Sequence, residues 1–467
     1  MENKTHRLRL KFLGAAREVT GSKTLIRYRN LSFLVDFGSY QGPAELRNLN
    51  REDLPHPESY DGVILTHAHI DHSGLLPRLV KTGFRGPIFC TAATAALVRI
   101  MLVDAAHLEE EDAEYANRTG HSRHRPAVPL FNLEDVERTL KLIKILERDV
   151  WVELGTGLSV RLLRSGHLLG SSFVQFSFDT GAGTRLVTFS GDLGADRSPI
   201  IKGPVTIPES DYLVLESTYG DRVHQSQNIK KQLAQVINRV VSHQGVVVIP
   251  AFAVGRTQDL IYYINDLMDE KTIPELPLYV DSPMALKATA IYKHFTEELK
   301  LVEEGRRLET SLAESRFRAV ETPEESRRLN QKEGPMIIIS AAGMLTGGRI
   351  LHHLKKRLPH RQNAVVIVGF QAPGTKGRLL QNGIDRLRIH HEEVEVNAEI
   401  VTIHGMSAHA DSREILQWMR GFRKLPERIF LNHGDPEAMK ALKYRLQNEL
   451  GITEIELPRV GEEFVLE

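Results

Sequence analysis

The stretch GVILTHAHIDH (residues 62–72) joins an apolar strand to a dense group of side chains that can bind metal. Alternate residues of a strand point the same way, so His67 and His69 can face one point beyond the strand end. The chain must then turn, which lets Asp71 and His72 reach a second point beside the first. Three imidazoles and one carboxylate within six residues form the ligand set that suits zinc and similar cations. The spacing predicts a metal site, against the alternative of a polar loop with incidental histidines.

Further segments place a histidine or an aspartate just after a predicted strand and close to a glycine. They are Asp36 in LVDFG, His167 in LRSGHLLGSS, Asp192 in TFSGDLG and His433 in LNHGD. Each of them alone is more often a turn or cap residue. Because strand ends can converge on one rim of a sandwich fold, their shared context indicates that they complete the site.

The composition predicts a soluble protein of about two domains. No stretch of the 467 residues approaches the roughly 18 uncharged apolar residues of a membrane helix. The 60 Lys+Arg balance the 60 Asp+Glu, which excludes a generic polycation but allows a local basic groove for nucleic acid. The single cysteine excludes a disulfide framework, and the charged first residues argue against a signal peptide. We therefore expect a cytoplasmic protein.

The hydrophobic pattern changes along the chain. In residues 1–210, short alternating runs favour largely antiparallel sheets, and LEDVERTLKLIKIL (133–146) has the spacing of a helix. In residues 211–390, continuous apolar runs such as GVVVIPAF (245–252) are typical of parallel strands buried on both faces. We predict a separate α/β domain over 211–390, followed by shorter strand and helix units over 391–467.

The residues near these strand ends resemble, in their order along the chain, the motifs of the metallo-β-lactamase superfamily: Asp36, HAHIDH (67–72), His167 and Asp192. The resemblance implies a site for two Zn²⁺ ions, one held by His67, His69 and His167, the other by Asp71, His72 and His433, with Asp192 bridging both. Mn²⁺ is the alternative cation because it accepts the same ligands. Asp36 resembles an aspartate that orients the ligands from behind, and the alternative role is a structural turn residue.

Three later residues resemble motifs A, B and C of the β-CASP subfamily: Glu216 in LESTYGDR, His409 in GMSAHADSRE and His433 in LNHGDPEAM. The resemblance runs from about Phe12 to the end of the chain. It implies an α/β fold, a metallo-β-lactamase αβ/βα sandwich with an inserted α/β β-CASP domain over 211–390. Residues 391–467 would then be the C-terminal part of the sandwich domain that residues 1–210 begin. It also implies that His409 is a general acid supported by Glu216. From the residues alone, His409 could instead cap the following helix, and Glu216 could be a buried, hydrogen-bonded acid.

The histidine at motif C indicates RNA, since DNA-processing relatives usually have another residue there. The resemblance therefore implies a dizinc ribonuclease, similar to the endonuclease of messenger-RNA 3′-end processing and its prokaryotic relatives. Endonuclease and 5′-exonuclease action both agree with the sequence. One alternative is a small-molecule metallohydrolase acting on thioesters or lactones, which would not need the inserted domain. Another is an RNA-binding subunit without activity, although degenerate relatives of that kind have lost metal ligands.

Glycine-rich loops after strands of the predicted inserted domain offer cations and backbone N–H groups to RNA phosphates. Their side chains are Arg256 in FAVGRTQ, Ser340 and Arg349 in SAAGMLTGGR, and Lys376 and Arg378 in APGTKGR. We expect these loops to line a cleft for single-stranded RNA. A homodimer is expected by analogy with the family, and no membrane partner is expected.

Overall fold

A computed structural model describes residues 7–119, 126–224, 228–300, 312–369, 371–372 and 374–467. The chain divides into two compact units. The first unit comprises Met1–Asp196, Gly203–Val223 and His409–Glu467, and the second comprises Arg197–Lys202 and His224–Ala408. The domain boundaries expected at residues 210 and 390 stay a prediction. Among the helices that the described residues form, none combines the length and apolar character needed to span a bilayer.

The strands and α-helices are numbered along the chain. The strands are β1 (Leu8–Gly14), β2 (Lys23–Tyr28), β3 (Leu31–Val35), β4 (Gly62–Ile64), β5 (Ile88–Cys90), β6 (Ile143–Ile145), β7 (Val152–Gly155), β8 (Leu158–Arg164), β9 (Ser172–Asp179), β10 (Thr184–Phe189), β11 (Tyr212–Glu216), β12 (Val246–Pro250), β13 (Leu278–Asp281), β14 (Arg318–Ala319), β15 (Met336–Ser340), β16 (Ala364–Ile367), β17 (Arg386–Ile389), β18 (Glu392–Glu395), β19 (Glu399–Thr402), β20 (Arg428–Asn432), β21 (Ile455–Glu456) and β22 (Glu463–Leu466). The helices are α1 (Ala44–Asn48), α2 (Ile70–Ser73), α3 (Leu76–Lys81), α4 (Ala92–Thr119), α5 (Leu133–Lys141), α6 (Ile229–Ser242), α7 (Arg256–Asp269), α8 (Pro283–His294), α9 (Pro323–Gln331), α10 (Ile350–Arg357), α11 (Lys376–Gln381), α12 (Ser412–Met419) and α13 (Pro436–Leu450).

Two seven-stranded sheets form the first unit. Their strand orders are β22-β1-β2-β3-β4-β5-β6 and β21-β20-β11-β10-β9-β8-β7. Within residues 1–210, the expectation of largely antiparallel strands is correct for β1 to β3 and for β7 to β10, and wrong for β4, β5 and β6, which pair in parallel. Strand β11 lies in the stretch 211–390 and pairs in parallel, as expected there. Strands β20 and β21 also pair in parallel, and β22 is antiparallel to β1. The parallel strands β10, β11 and β20 end at the same edge of the second sheet, and this edge positions the site described below.

The core of the first unit lies between its two sheets. On β9, alternation turns Val174, Phe176 and Phe178 toward one face, where they pack in the same cluster as Leu10 and Phe12 of β1. Each buried aromatic side chain contributes roughly 1.5–3 kcal/mol to folding. Helices α12 and α13 cover the other face of the second sheet through a second apolar cluster. The sheet edges that carry polar residues therefore rest on well-packed strands.

The helix expected over residues 133–146 is shorter in the structure. Helix α5 begins after Asn132, whose side chain accepts a hydrogen bond from the Asp135 N–H, while the Asp135 carboxylate accepts one from the Asn132 N–H. This reciprocal capping box specifies the start of the helix. The β-branched pair Ile143 and Ile145 instead forms β6, which pairs in parallel with β5.

The second unit contains a six-stranded, fully parallel sheet in the order β14-β13-β15-β12-β16-β19. Strands β12, β15 and β16 are buried at every position, as their continuous apolar sequences predict. Strand β19 lies beyond residue 390 and pairs with β16, so it completes this sheet. A separate hairpin joins β17 and β18.

Candidate metal centre

The polar residues at the strand ends come together in the first unit. His67 and His69 follow β4, Asp71 and His72 lie in α2, His167 follows β8, Asp192 follows β10, and His433 follows β20. Two glycines allow their loops to approach closely. A Cβ atom on Gly38 would lie 1.6 Å from the Asp71 carbonyl oxygen, and one on Gly194 would lie 2.0 Å from the Gly166 carbonyl oxygen.

The Asp192 carboxylate lies at the centre of this cluster. Its Oδ2 atom is 3.4 Å from His67 Nε2 and 3.2 Å from His167 Nε2. Its Oδ1 atom is 3.2 Å from His72 Nε2 and 3.6 Å from His433 Nδ1. Among the described residues, neither oxygen has a hydrogen-bond partner of acceptable geometry, although the side chain is buried. A buried carboxylate in this state is costly unless it is paired or binds a metal.

His67, His69 and His167 form one candidate ligand group with Asp192. His69 Nδ1 lies 3.1 Å from Nε2 of both His67 and His167. Ring nitrogens that face each other at this distance either share a proton or point toward one cation. Burial, together with the neighbouring imidazoles, lowers the pKa of all three rings, that of His69 to about 3. The three rings are therefore neutral, which is the form that binds metal.

Asp71, His72 and His433 form the other candidate ligand group. His433 Nε2 lies 3.2 Å from His72 Nε2 and 3.5 Å from Asp71 Oδ2. Burial acts to lower the pKa of His72, but the charges of Asp192 and Asp36 hold this pKa well above its usual range. Burial acts to raise the pKa of Asp71, and the hydrogen bond with His433 lowers it instead. The negative field of the carboxylates thus favours a positive charge among these side chains.

Asp36 lies behind His72. Its Oδ2 atom is 2.7 Å from His72 Nδ1, and its Oδ1 atom accepts a hydrogen bond of 2.8 Å from the Thr66 N–H. The Thr66 hydroxyl is in turn 3.0 Å from His67 Nδ1. Together Asp36 and Thr66 orient two rings so that their Nε2 atoms face Asp192. The sequence reasoning missed Thr66, and its position directly before His67 at the strand end was the available signal.

Asp36 and His433 adopt left-handed backbone conformations, with φ of 61° and 49°. For a residue with a Cβ atom this conformation costs roughly 1–2 kcal/mol, so its surroundings must impose it. The His433 N–H donates to the Ala15 carbonyl oxygen at 2.8 Å, and the Thr218 hydroxyl lies 3.1 Å from His433 Nδ1. His433 is therefore held in place both through its backbone and through its ring, and Asp36 is held through its carboxylate contacts with Thr66 and His72.

His409 stands beside the cluster with its side chain 21% exposed. Its Nδ1 atom is 3.1 Å from Glu216 Oε2 and 3.9 Å from Asp192 Oδ2. Burial acts to lower the pKa of His409, but Glu216 and Asp192 raise it to about 9. Glu216 is buried at the end of β11 and also accepts a hydrogen bond from the Leu193 N–H. The acid is thus both hydrogen-bonded and placed to orient the His409 ring.

The alternative that His409 caps the following helix is wrong. The N-cap of α12 is Asp411, whose carboxylate accepts hydrogen bonds from the N–H groups of Arg413 and Glu414. The Glu414 side chain accepts from the Asp411 N–H in return, which completes a capping box. The His409 ring is therefore not used by the helix start.

Two of the residues expected to bind RNA, Ser340 and Arg349, contact Asp281 within the second unit. The buried Ser340 hydroxyl donates to the Asp281 carbonyl oxygen at 2.9 Å. Arg349 donates to Asp281 Oδ1 at 2.7 Å and to the Glu321 carbonyl oxygen at 2.7 Å. Both side chains support the fold of this loop, and their role toward RNA stays a prediction.

The other three residues lie at the start of helices α7 and α11. Arg256 Nη1 lies 3.6 Å from Asp259 Oδ2, and Arg378 Nε donates to the Gln371 carbonyl oxygen at 2.9 Å. Within the described part of the chain, no side chain pairs with the Lys376 ammonium group. The expected binding of RNA by these residues also stays a prediction.

Three family descriptions match successive parts of the chain. They are the "Metallo-beta-lactamase superfamily" over residues 17–219, the "Beta-Casp domain" over 257–380 and the "Zn-dependent metallo-hydrolase RNA specificity domain" over 393–458. The chain belongs to the metallo-beta-lactamase superfamily and carries a Beta-Casp domain. The resemblance found in the sequence and the predicted fold class are confirmed.

Among known proteins, the chain is similar to "Ribonuclease TTHA0252" of Thermus thermophilus, with 37% identity over 97% of this chain and 99% of that protein. It is also similar to "Transcription termination factor FttA" of Methanocaldococcus jannaschii, with 29% identity over 92% of this chain and 67% of that protein. A crystal structure of a protein of unknown function from Enterococcus faecalis shares the fold. Its TM-score is 0.56 at 14% identity, over 98% of this chain and 100% of that chain.

Membership of this superfamily implies that the protein binds divalent metal. The residues present fit such ions on two observations. The Asp192 oxygens are buried without hydrogen bonds among the described residues, and the neutral rings of His67 and His167 face its Oδ2 atom. The donor set of imidazole nitrogens and carboxylate oxygens is one that divalent transition metals accept.

Proposed function

We propose that this chain is a metal-dependent ribonuclease that hydrolyses phosphodiester bonds of single-stranded RNA with two Zn²⁺ ions. The observation that carries the proposal is the Asp192 carboxylate, which lies without hydrogen bonds from the described residues between two groups of candidate ligands. The names of its relatives support RNA as the substrate, and so does the match to an RNA specificity domain. The histidine at motif C, His433, also agrees with RNA as the substrate.

In the proposed site, His67, His69 and His167 would hold one ion, Asp71, His72 and His433 would hold the other, and Asp192 would serve both. When bound, two divalent cations supply Lewis acidity toward phosphate oxygens and lower the pKa of water. Zn²⁺ suits the mixed nitrogen and oxygen donors, and Mn²⁺ is the alternative. Asp36 and Thr66 keep the rings of His72 and His67 in the orientation that ligation requires.

His409 is proposed as the general acid. During hydrolysis a water oxygen bonds to phosphorus and the bond to the leaving sugar oxygen breaks. That oxygen needs a proton, while the proton lost by the water returns to solvent. Glu216 engages His409 Nδ1 at 3.1 Å, so the proton would be transferred from the other ring nitrogen. Glu216 is a positioning residue because it acts through the His409 ring.

The proposal is tested with short single-stranded RNA labelled separately at each end, with and without a chelator. Cleavage should vanish with the chelator. His409→Ala should lower kcat by about 10²–10⁴-fold at unchanged metal content, because a general acid typically contributes that much. The matched control is His56→Ala, which removes a histidine side chain that is 82% exposed and should leave kcat unchanged.

The products decide between the modes of cleavage. Internal fragments indicate an endonuclease, and stepwise release of mononucleotides from the 5′ end indicates an exonuclease. Cleavage by metal-free protein would contradict the proposal. RNA binding without cleavage at two metals per chain would favour an inactive RNA-binding subunit, and thioester turnover without RNA cleavage would favour a small-molecule hydrolase. The homodimer and the cytoplasmic location stay predictions.

A further inference from the structure

A surface cavity of about 550 Å³ lies in the first unit, at the far end of the second sheet from the candidate metal centre. Its lining includes Trp151, Arg161, Ser177, Thr184, Glu209 and Lys424. Thr184 begins β10, whereas Asp192 follows the end of that strand. At about 3.3 Å per residue, the length of β10 separates these two ends by roughly 20 Å. The cavity is thus distinct from the site described above, and its volume falls in the ordinary range for ligand pockets.

Trp151 contributes an aromatic face to the lining of this cavity. Its side chain is 40% exposed, and the Arg161 guanidinium carbon lies 4.7 Å from the ring centroid. Arg161 is itself fixed, since Nε and Nη2 donate to Gln175 Oε1 at 2.9 and 2.7 Å, and Nη1 donates to Asp149 Oδ1 at 3.2 Å. Gln175 is fully buried and donates to the Thr188 hydroxyl at 2.9 Å. The Trp151 ring therefore packs against an arginine that is anchored on the buried Gln175.

Other lining residues of the cavity offer hydrogen-bonding groups that the fold does not use. Across the described ranges, no residue hydrogen-bonds to the hydroxyls of Ser177 and Thr184 or to the Glu209 carboxylate. The cations of the cavity already have acidic partners, because Arg161 contacts Asp149 and Lys424 Nζ lies 2.9 Å from a Glu427 carboxylate oxygen. The cavity thus matches a neutral ligand with an aromatic face and several hydroxyl or amino groups, and it does not match a free phosphate.

We propose that this cavity binds one unpaired ribonucleoside unit. The base stacks on Trp151, and the sugar hydroxyls and the base edge hydrogen-bond to Ser177, Thr184 and Glu209. Stacking on an aromatic side chain suits any base because every base has a π-face, and hydroxyl contacts distinguish a ribonucleoside from inorganic anions. The inference rests on the proposed function, since an RNA chain that reaches past the metal centre carries such units. A free nucleoside has the same chemistry.

Binding is measured first in the presence of a chelator, so that no RNA cleavage is required. The chain has two tryptophans, Trp151 and Trp418, and Trp418 is buried. Quenching of tryptophan fluorescence by an added ligand therefore reports on Trp151. Uridine and adenosine should quench this fluorescence, whereas inorganic phosphate and glucose should not. By calorimetry, Trp151→Ala should weaken nucleoside binding by about tenfold or more, the loss expected from one stacking contact. Trp151→Phe should retain part of the affinity.

The matched control is Tyr444→Ala, which removes an aromatic side chain that is 68% exposed on α13 and should leave nucleoside binding unchanged. Quenching by glucose equal to that by uridine would overturn the proposal, and so would nucleoside binding that survives Trp151→Ala. Failure of RNA cleavage with intact nucleoside binding would contradict the proposed ribonuclease activity and leave this site standing.

RNA of two lengths distinguishes the sources of the nucleoside. If the cavity takes a unit of the RNA substrate, Trp151→Ala should raise KM for a long oligoribonucleotide and leave a very short one unaffected, with kcat and metal content unchanged. If the source is a free nucleoside, KM should not change for either length while nucleoside binding is lost. Either result supports the site. The proposal would be overturned if neither a free nucleoside nor a unit of the RNA substrate binds to the cavity.

Discussion

Asp192 in the first unit and Asp281 in the second are both buried aspartates that contact histidine rings. Asp281 Oδ2 lies 2.7 Å from His353 Nε2 and accepts a hydrogen bond from the Ser326 hydroxyl at 2.6 Å, while its Oδ1 accepts one from Arg349 at 2.7 Å. Asp192 has four histidine rings within 3.6 Å, yet its oxygens have no hydrogen-bond partner among the described residues. The Asp281 carboxylate therefore has hydrogen-bond partners on both oxygens, whereas the Asp192 carboxylate has none among the described residues.

The difference teaches that a buried histidine–aspartate contact does not by itself identify a metal site. A carboxylate whose lone pairs are all used stabilises the loop around it and offers nothing to a cation. A buried carboxylate whose oxygens face the lone pairs of neutral imidazole nitrogens needs a positive charge between the two groups. Asp36 is intermediate, since it is hydrogen-bonded to Thr66 and also contacts the candidate ligand His72. Substitution of these three aspartates tests the comparison.

Asp192→Asn should have the largest effect. We expect RNA cleavage to fall by more than about 10⁴-fold, beyond the usual contribution of one general acid, because a neutral amide cannot hold two cations. Metal content, measured by mass spectrometry of the purified protein, should fall below two ions per chain. Full metal content with normal cleavage would remove Asp192 from the site.

Asp281→Asn should give the opposite result. The free energy of unfolding should fall by about 3 kcal/mol, since Arg349 and His353 lose the charge that they contact inside the second unit. Cleavage per folded molecule and metal content should be unchanged. Denaturant titration measures the loss of stability, and Glu392→Gln, which breaks an exposed ion pair with Lys355, is the control that should change little.

The stability effect of Asp281→Asn should depend on pH. Burial acts to raise the pKa of Asp281, but the hydrogen bonds with His353, Ser326 and Arg349 hold it below its usual value. A depressed carboxyl pKa contributes stability above the unfolded value of about 3.9 and loses it as pH falls through the folded value. The difference between wild type and variant should therefore be full at neutral pH and shrink below about pH 4. A constant difference would contradict this account.

Asp36→Asn should have the smallest effect of the three. We expect metal affinity or RNA cleavage to fall by about 10–100-fold, the usual cost of removing a partner that orients a metal ligand. Chelator competition measures the affinity. The control Ser22→Ala removes a hydroxyl that lies 3.4 Å from Asp36 Oδ2 and should cost less. Unchanged affinity in Asp36→Asn would leave Asp36 with only the turn role that its left-handed backbone also allows.

The sequence by itself determined the features that depend on neighbouring residues. Alternation along a strand and the turn after it were enough to direct His67, His69, Asp71 and His72 toward two adjacent points. Continuous apolar runs predicted the parallel sheet of the second unit, because such strands are buried on both faces. The motif order identified the family. These inferences need only local geometry and the chemical type of each side chain.

The tertiary structure decided what depends on contacts between distant residues. His72 and His433 are 361 positions apart and lie 3.2 Å from each other at their Nε2 atoms. No local pattern could tell that the carboxylate of Asp281 is satisfied by Ser326 and Arg349 whereas that of Asp192 is not. The hydrogen bonds of a buried polar group are made by whichever side chains the fold brings to it. Their state of satisfaction, which separates a binding site from a structural contact, is therefore set by packing.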